Sequence, residues 1–282
     1  MYADLRTKRN TRLKKINGEL KKVKINKTLS STTVLHIHRL VHLALKYAVM
    51  WGYIRTNPAD YVKPPIAEKK EIVIFTDDEM QLIFNELQDT TLYLSVFIAY
   101  MTGMRLGEVT GLQKKSVDLE NENFIIQHTY KQVGQELILK EPKTKSSART
   151  VPMMSGTKRA IENYLCDQKE QKMKNRFNYE ENSFFLKMPN GKPVSPIYVS
   201  KNFKKLLVRL NMGKNRSFHT LRHTHASWLL KQGVHLKIVS ERLGHANVIT
   251  TLDTYSHLLP NLQKAVINGL TPFLPGTGRV QS

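Results

Sequence analysis

The most distinctive stretch of the chain combines three histidines with one arginine within seven residues, His219-Thr220-Leu221-Arg222-His223-Thr224-His225. Helical spacing predicts that His219, Arg222 and His223 share one face. Histidines four residues apart also allow a zinc site, but no cysteine or patterned carboxylate nearby offers a third ligand, and Arg222 between them repels a cation. We therefore expect no metal at this face.

A second cluster, at residues 101–108, follows an apolar helical pattern and contains two glycines that permit close backbone approach. Arg105 lies near the start of the next predicted helix, where the helix dipole, free N–H groups and the guanidinium all favour a phosphate. A plain helix corner closed by an Arg105–Glu108 ion pair is the alternative interpretation.

Two more clusters are ambiguous when taken singly. Residues 140–149 are a cationic turn between predicted strands, and such lysines are usually only solvated. Residues 243–257 contain a Gly-His pair that includes His245, with Tyr255 ten residues further on. A tyrosine is more often a packing residue than a nucleophile.

The composition narrows the class of partner. The 282 residues include 44 Lys and Arg against 23 Asp and Glu, a net charge of +21, which favours nucleic acid first and an anionic membrane surface second. No apolar run approaches the ~18 residues that span a bilayer, and residues 1–6 do not resemble a signal peptide. The single cysteine, Cys166, excludes an internal disulfide, and we expect a cytoplasmic protein.

The sequence motifs of three other enzyme classes are absent. The chain contains no Gly-x-x-x-x-Gly-Lys-Ser/Thr loop, no Gly-x-Ser-x-Gly elbow and no His-Glu-x-x-His pair. We therefore expect neither ATP nor a metalloprotease site. Together the four clusters instead describe metal-free phosphoryl transfer on nucleic acid, in which fixed cations hold the phosphate and a tyrosine conserves its energy in a covalent link.

The periodicity predicts a mainly α protein with a small antiparallel β-sheet (α+β). Apolar spacing behind Ser30 predicts a helix that ends near Trp51, and a capping box at 76–79 opens the second segment. Three short strands are expected within residues 124–152. Paired prolines and a charged run at 62–70 indicate a linker, and residues 1–27, with ten Lys or Arg and two Asp or Glu, indicate a nucleic-acid-contacting arm.

The order and spacing of these residues resemble the catalytic domain of tyrosine recombinases, the phage integrase family. The family pattern Arg…Lys…His-x-x-Arg…His/Trp…Tyr is similar to this sequence at six positions over about residues 30–260, namely Arg105, Lys143, His219, Arg222, His245 and Tyr255. Glu108 takes the place of the family's supporting acid, and Lys145 is the rival to Lys143.

The resemblance implies a site-specific recombinase or integrase without metal or cofactor. Tyr255 is expected to form a 3′-phosphotyrosyl link, Lys143 to protonate the departing 5′-oxygen, and His219 to act as the base. Arg105, Arg222 and His245 are expected to hold the phosphate. DNA contacts are expected from Arg39, Lys46, Lys145 and Arg149.

The resemblance also implies an organisation and partners. We expect a small helical core-binding domain at 1–65, N-terminally shortened with no room for an arm-binding domain, a linker at 66–73 and the DNA breaking-rejoining catalytic domain at 74–260. The tail 261–282 docks either on its own protomer or on a neighbour. The expected partners are duplex DNA at attachment sites and three further copies of the chain in a tetramer. The free chain is expected to be a monomer or a weak oligomer. Directionality factors and host DNA-bending factors are candidate partners, and no membrane is expected.

Two rival functions remain open at this point. One is a non-catalytic DNA-binding remnant of an integrase, and the other is DNA relaxation of the type IB topoisomerase kind. The target sequence, the host element and the direction of the reaction are not predicted, because specificity depends on base contacts and DNA deformation.

Overall fold

The structure is a computed structural model that describes residues 11–16, 19–24, 29–66, 71–133, 136–140, 148–213 and 215–256. The chain divides into two compact units, Met1–Glu71 and Ile72–Ser282. The functions expected of the two units stay predictions. The predicted tail at 261–282 lies outside the described residues.

The first unit combines a hairpin with one long helix. Strands β1 (Thr11–Ile16) and β2 (Glu19–Lys24) pair antiparallel, within the region for which the sequence predicts only a basic arm. Helix α1 (Ser31–Met50) starts where the Ser30 hydroxyl accepts from the Thr33 N–H, as its capping pattern predicts. A 3₁₀ turn at Pro58–Tyr61 follows.

The second unit is mostly helical, as the sequence predicts. Its helices are α2 (Asp77–Leu87), α3 (Tyr93–Thr102), α4 (Leu106–Thr110), α5 (Thr157–Lys174), α6 (Pro196–Arg209), α7 (Phe218–Lys231), α8 (Leu236–Leu243) and α9 (Val248–Tyr255). Its strands are β3 (Val117–Asp118), β4 (Asn123–Ile126), β5 (Thr129–Val133), β6 (Glu136–Lys140) and β7 (Arg149–Pro152). The capping box predicted at Thr76 and Glu79 is present at the start of α2.

The strands differ from the expected single sheet. Strands β3, β4 and β7 form one antiparallel sheet in that order, whereas β5 and β6 form a separate antiparallel pair. The three predicted strands exist, but the one at 137–139 pairs with β5, which the sequence analysis did not anticipate. The polar residues of β5 hide its strand character, since Thr129, Lys131 and Gln132 interrupt its apolar positions.

Helix α7 packs against α3, α6 and α8 and carries the predicted His-x-x-Arg motif. Its Phe218 and Leu221 belong to the larger apolar core, while Ala226, Leu229 and Leu230 belong to a smaller one. Because nearly every turn of α7 is buried, polar groups on it are held in fixed positions. The mainly α fold with small antiparallel sheets is thus confirmed, and no helix in the described ranges has the length and apolar character to cross a bilayer.

Candidate active site

Arg222 lies in the second turn of α7 and directs its guanidinium at the corner where α3 ends. The residue is 3% exposed, and its Nη1 donates to the carbonyl of Gly103 at 2.8 Å. Its Nη2 is buried without a hydrogen-bond partner among the described residues. An unsatisfied buried N–H costs about 1–3 kcal/mol, so this atom is a ready donor for an anion.

Gly103 fixes the carbonyl that Arg222 binds. Its φ of +68° ends α3 in the left-handed region, and an added Cβ would lie 2.7 Å from Leu243 and 2.8 Å from His225. Both the conformation and the space therefore require glycine. The tight corner brings the end of α3 against α7 and α8.

Glu108 joins two arginines beneath this corner. One carboxylate oxygen accepts from the Arg105 backbone N–H at 2.9 Å and from Arg149 Nη2 at 3.0 Å, and the other accepts from Arg105 Nη1 at 2.9 Å. Burial raises the pKa of Glu108, but the hydrogen bonds and charges of Arg149 and Arg105 outweigh it and lower the pKa overall. We call Arg105, Glu108, Arg149 and Arg222 the arginine cluster.

The arginine cluster is also fastened to the end of α8. Arg105 Nη2 donates to the Gly244 carbonyl at 3.3 Å, and Arg149 Nε donates to the Arg242 carbonyl at 2.8 Å. Carbonyls at a helix C-terminus carry partial negative charge and suit cations. The Arg105 side chain keeps 40% exposure, so one side of its guanidinium stays open to a substrate.

His245 follows directly after this helix end and is partly buried. Its Nδ1 lies 2.7 Å from the Thr251 hydroxyl, which leaves Nε2 for another partner. Burial, followed by the charges of Arg222 and Arg105, lowers the pKa of His245 to about 4. The ring is therefore neutral at pH 7 and can donate one N–H.

Tyr255 is the last residue of α9 and is 1% exposed. Its ring packs in the smaller apolar core, and its hydroxyl lies 2.8 Å from His223 Nδ1. Burial raises the pKa of Tyr255 to about 12, although the charge of Arg222 acts in the opposite direction. The phenol is thus protonated at pH 7.

His219 lies one turn before His223 on α7. The two rings are perpendicular with their centroids 4.7 Å apart. Partial burial, then Arg222 and Arg105, lowers the pKa of His219. It therefore belongs to the same electrostatic neighbourhood as the two arginines.

The structure brings together most of the predicted site. Arg222 acts electrostatically on His219, His245 and Tyr255, and Arg105 acts on the two histidines. Lys143 and Lys145 lie outside the described residues, so their roles stay predictions. The contacts predicted for Arg39 and Lys46, both exposed on α1, also stay predictions.

Arg149 is more buried than we expect of an arginine that contacts DNA. We predicted a DNA contact, but its side chain is only 8% exposed and both of its terminal nitrogens bind Glu108. Arg149 begins β7 and its side chain points inward, where it shares the Glu108 carboxylate with Arg105. This geometry indicates that Arg149 positions Glu108 and Arg105. The DNA contact stays a prediction.

The sequence analysis missed one contact to Tyr255. His223, rather than His219, forms the hydrogen bond to the Tyr255 hydroxyl. A signal was present, since His223 shares the predicted helical face with His219 and Arg222. Spacing alone did not show which of the two rings Tyr255 would meet.

Known proteins resemble the chain over most of its length. Residues 74–261 match the family model described as the Phage integrase family. A tyrosine recombinase XerC-like protein of Caldanaerobacter subterraneus subsp. tengcongensis is 32% identical over 86% of this chain and 66% of that protein. The ICEBs1 integrase of Bacillus subtilis is 26% identical over 87% of this chain and 67% of its own length.

Solved structures agree on the fold. The Tn1549 transposon integrase, in complex with transposon right end DNA, superposes with a TM-score of 0.71 at 24% identity and covers 86% of this chain and 80% of that one. A lambda integrase dimer bound to a core site gives a TM-score of 0.58 at 16% identity over 79% of this chain and 73% of that one. The chain spans about two thirds of the length of its first two relatives. It belongs to the phage integrase family and, within that family, to the site-specific tyrosine recombinases.

Proposed function

We propose that this chain cuts and rejoins duplex DNA at specific sites through a 3′-phosphotyrosyl intermediate, without metal or ATP. The supporting observation is the unpartnered Nη2 of Arg222, buried near the Arg105 guanidinium and the Tyr255 phenol. Two fixed cations beside a tyrosine form a site for a phosphodiester whose charge grows in the transition state.

Two members of the arginine cluster, Arg105 and Arg222, bind and orient the scissile phosphate. Arg222 donates through Nη2 to one non-bridging oxygen while Nη1 stays on the Gly103 carbonyl. Arg105 donates from its open side to the other. His245, with Nδ1 occupied by Thr251, supplies an N–H from Nε2.

The covalent step conserves the phosphodiester. The Tyr255 oxygen bonds to phosphorus as its proton passes to a base, for which the family resemblance names His219. The bond from phosphorus to the 5′-oxygen breaks, and the 5′-oxygen takes a proton from Lys143, with Lys145 as the rival donor. Attack by a 5′-hydroxyl on the phosphotyrosine reverses the step and releases the tyrosine. Because no bond energy is lost to water, ATP is not required.

The assembly and the surroundings are part of the same proposal. The transposon and lambda integrases were solved with DNA, which supports duplex DNA as the partner of this chain. We infer that four copies act on two DNA sites in the nucleoid, and that the unit Met1–Glu71 adds DNA contacts through exposed Arg39 and Lys46. Exposed cations of this kind favour a phosphate backbone.

A nicked suicide substrate tests the proposal. When the nick lies close to the scissile phosphate, the small fragment diffuses away and the covalent protein–DNA adduct accumulates. We expect an adduct with the wild-type chain and none with Tyr255→Phe. The control is Tyr198→Phe, the same change at a partly buried tyrosine of α6, which keeps the adduct.

Two outcomes would overturn the proposal. Salt-sensitive binding without any adduct indicates a DNA-binding remnant. Relaxation of a supercoiled plasmid with no recombinant product from paired sites indicates the topoisomerase-like activity. Recombinant product that disappears in Tyr255→Phe supports the recombinase.

A further inference from the structure

Cleavage requires a base that takes the proton of Tyr255. Tyr255 is buried and protonated, so its oxygen becomes a strong nucleophile only when that proton leaves. A base must lie within hydrogen-bond reach of the phenol, at about 2.6–3.2 Å. In the described part of the chain, the ring nitrogen that meets this condition is His223 Nδ1, at 2.8 Å.

His223 is also held in the correct position for this role. It lies on α7, the most buried helix of the unit, one residue after the Arg222 that approaches the phosphate. Its ring contacts the Tyr255 ring edge to face, with centroids 5.9 Å apart. A base on a rigid helix beside the phosphate ligand keeps its distance from the nucleophile through the reaction.

We propose that His223 is a catalytic residue that accepts the proton of Tyr255 as the tyrosine oxygen attacks phosphorus. This inference rests on the proposed function and changes the assignment of the base, which the family resemblance gives to His219. No hydrogen bond joins His219 to the phenol within the described ranges, and its ring instead packs against His223.

Before cleavage, the His223 ring carries no charge and has room for a proton. Burial first, then the charges of His219 and Arg222, lowers the pKa of His223 to about 4, so the ring is neutral at pH 7. A neutral ring with its hydrogen on Nε2 has a free lone pair on Nδ1 and accepts from the phenol. The groups acting on it are His219 and Arg222 on α7 and Tyr255 on α9.

The step balances without any further reactant. The bond from the Tyr255 oxygen to phosphorus forms, the bond to the 5′-oxygen breaks, the phenolic proton moves to His223 Nδ1, and Lys143 protonates the 5′-oxygen. When a 5′-hydroxyl attacks in the rejoining step, its proton returns to Lys143 and the proton on His223 returns to Tyr255. The arginine cluster stays charged throughout.

Two substitutions at His223 separate proton transfer from positioning. His223→Asn places an amide oxygen near Nδ1, so it can accept the hydrogen bond but takes no proton at neutral pH. His223→Ala removes both properties. We expect both variants to lower single-turnover cleavage of the nicked substrate by about 10²–10³-fold, because general-base catalysis contributes about 10²–10⁴-fold. His219→Ala, the matched control one turn away, should lower it less.

A second substrate identifies which proton is affected. A 5′-bridging sulfur in place of the scissile oxygen makes a leaving group that needs no proton. We expect this substrate to restore cleavage by Lys143→Ala but not by His223→Asn, because the tyrosine must still lose its proton. His223→Gln replaces His223→Asn if circular dichroism shows that the latter is unfolded, with the same expected results.

Three results would overturn the inference. If the His223→Asn variant cleaves at the wild-type rate, His223 only positions Tyr255 and does not accept its proton. If the sulfur substrate restores cleavage by His223→Asn, then His223 delivers a proton to the leaving group and does not take one from Tyr255. A larger loss in His219→Ala returns the base to His219. In each case the wild-type adduct still forms, whereas failure of the proposed function would remove the wild-type adduct itself.

Discussion

The two halves of the candidate active site are built very differently. The arginine cluster is tied together by charged hydrogen bonds to Glu108 and to the carbonyls of Gly103, Arg242 and Gly244. The half that holds the proposed nucleophile consists of Tyr255 at the end of the eight-residue helix α9, and the Tyr255 hydroxyl is hydrogen-bonded to His223. The half that we propose to bind phosphate is therefore preorganised, whereas Tyr255, the proposed nucleophile, is protonated at pH 7.

This contrast separates two tasks. A site that binds a polyanion benefits from fixed cations, because no free energy is then spent on assembling them at the moment of reaction. A tyrosine that is protonated and buried is a weak nucleophile until its proton leaves. If the arginine cluster is preorganised in this way, substitutions within it cost more unfolding free energy than matched substitutions elsewhere.

The largest expected effect comes from Glu108→Gln. The substitution leaves Arg149, which is 8% exposed, without its counter-charge, and breaking a buried ion pair costs about 3–5 kcal/mol of unfolding free energy. The control is Glu86→Gln, which removes an exposed pair with Arg209 and should cost under about 1 kcal/mol. Urea unfolding measures both, and equal losses in the two variants would show that the Glu108 ion pairs do not hold the arginine cluster together.

A smaller effect is expected from Gly103→Ala. Gly103 and Gly233 both have positive φ, but nothing lies within 4 Å of a Cβ at Gly233, whereas a Cβ at Gly103 would meet Leu243 and His225. We expect Gly103→Ala to cost about 1–3 kcal/mol more than Gly233→Ala, because of overpacking. It should also slow adduct formation, since the carbonyl that holds Arg222 moves. Thermal unfolding and single-turnover cleavage measure the two effects, and identical behaviour of the two variants would contradict this account.

The smallest expected effect is the pH dependence of the unfolding free energy that comes from His225. Its ring accepts a hydrogen bond from Arg242 Nε at 3.1 Å. Burial, then the charge of Arg242, lowers its pKa to about 3, below the ordinary value of 6.5. The unfolded chain therefore binds a proton that the folded chain does not, and stability falls as the pH falls from 6.5 toward 3, by up to about 1.4 kcal/mol per unit. Unfolding free energies between pH 7 and 5 should show a shallower slope in His225→Gln, and an unchanged slope would be the contrary result.

The sequence could predict the residue types of the site because each motif sits at a helix boundary with its own local signals. The end of α3, the capping box of α2 and the position of α7 follow from spacing, and the family pattern then selects Arg105, Arg222 and Tyr255. Which ring would meet the phenol depends on how α9 packs on α7. That packing is a tertiary property with no local signal.

The same limit explains the differences in the sheets and the hairpin. Strand β6 is apolar enough to be predicted from the sequence. Its pairing with β5 could not be predicted, because apolar and polar residues do not alternate clearly along β5. The apolar residues of β1 and β2 (Leu13, Ile16, Leu20 and Val23) are spaced as in a helix. The dipeptide Asn17-Gly18 between these strands is typical of two-residue hairpin connections and was the available signal.

The central claim is that Tyr255 is the residue that becomes joined to DNA. Mass spectrometry of the nuclease-trimmed and protease-digested adduct tests it most directly. The account predicts a nucleotide attached through its 3′-phosphate to the peptide that contains Tyr255, with the other tyrosines unmodified. An adduct on a different residue, or one joined through a 5′-phosphate, would contradict it.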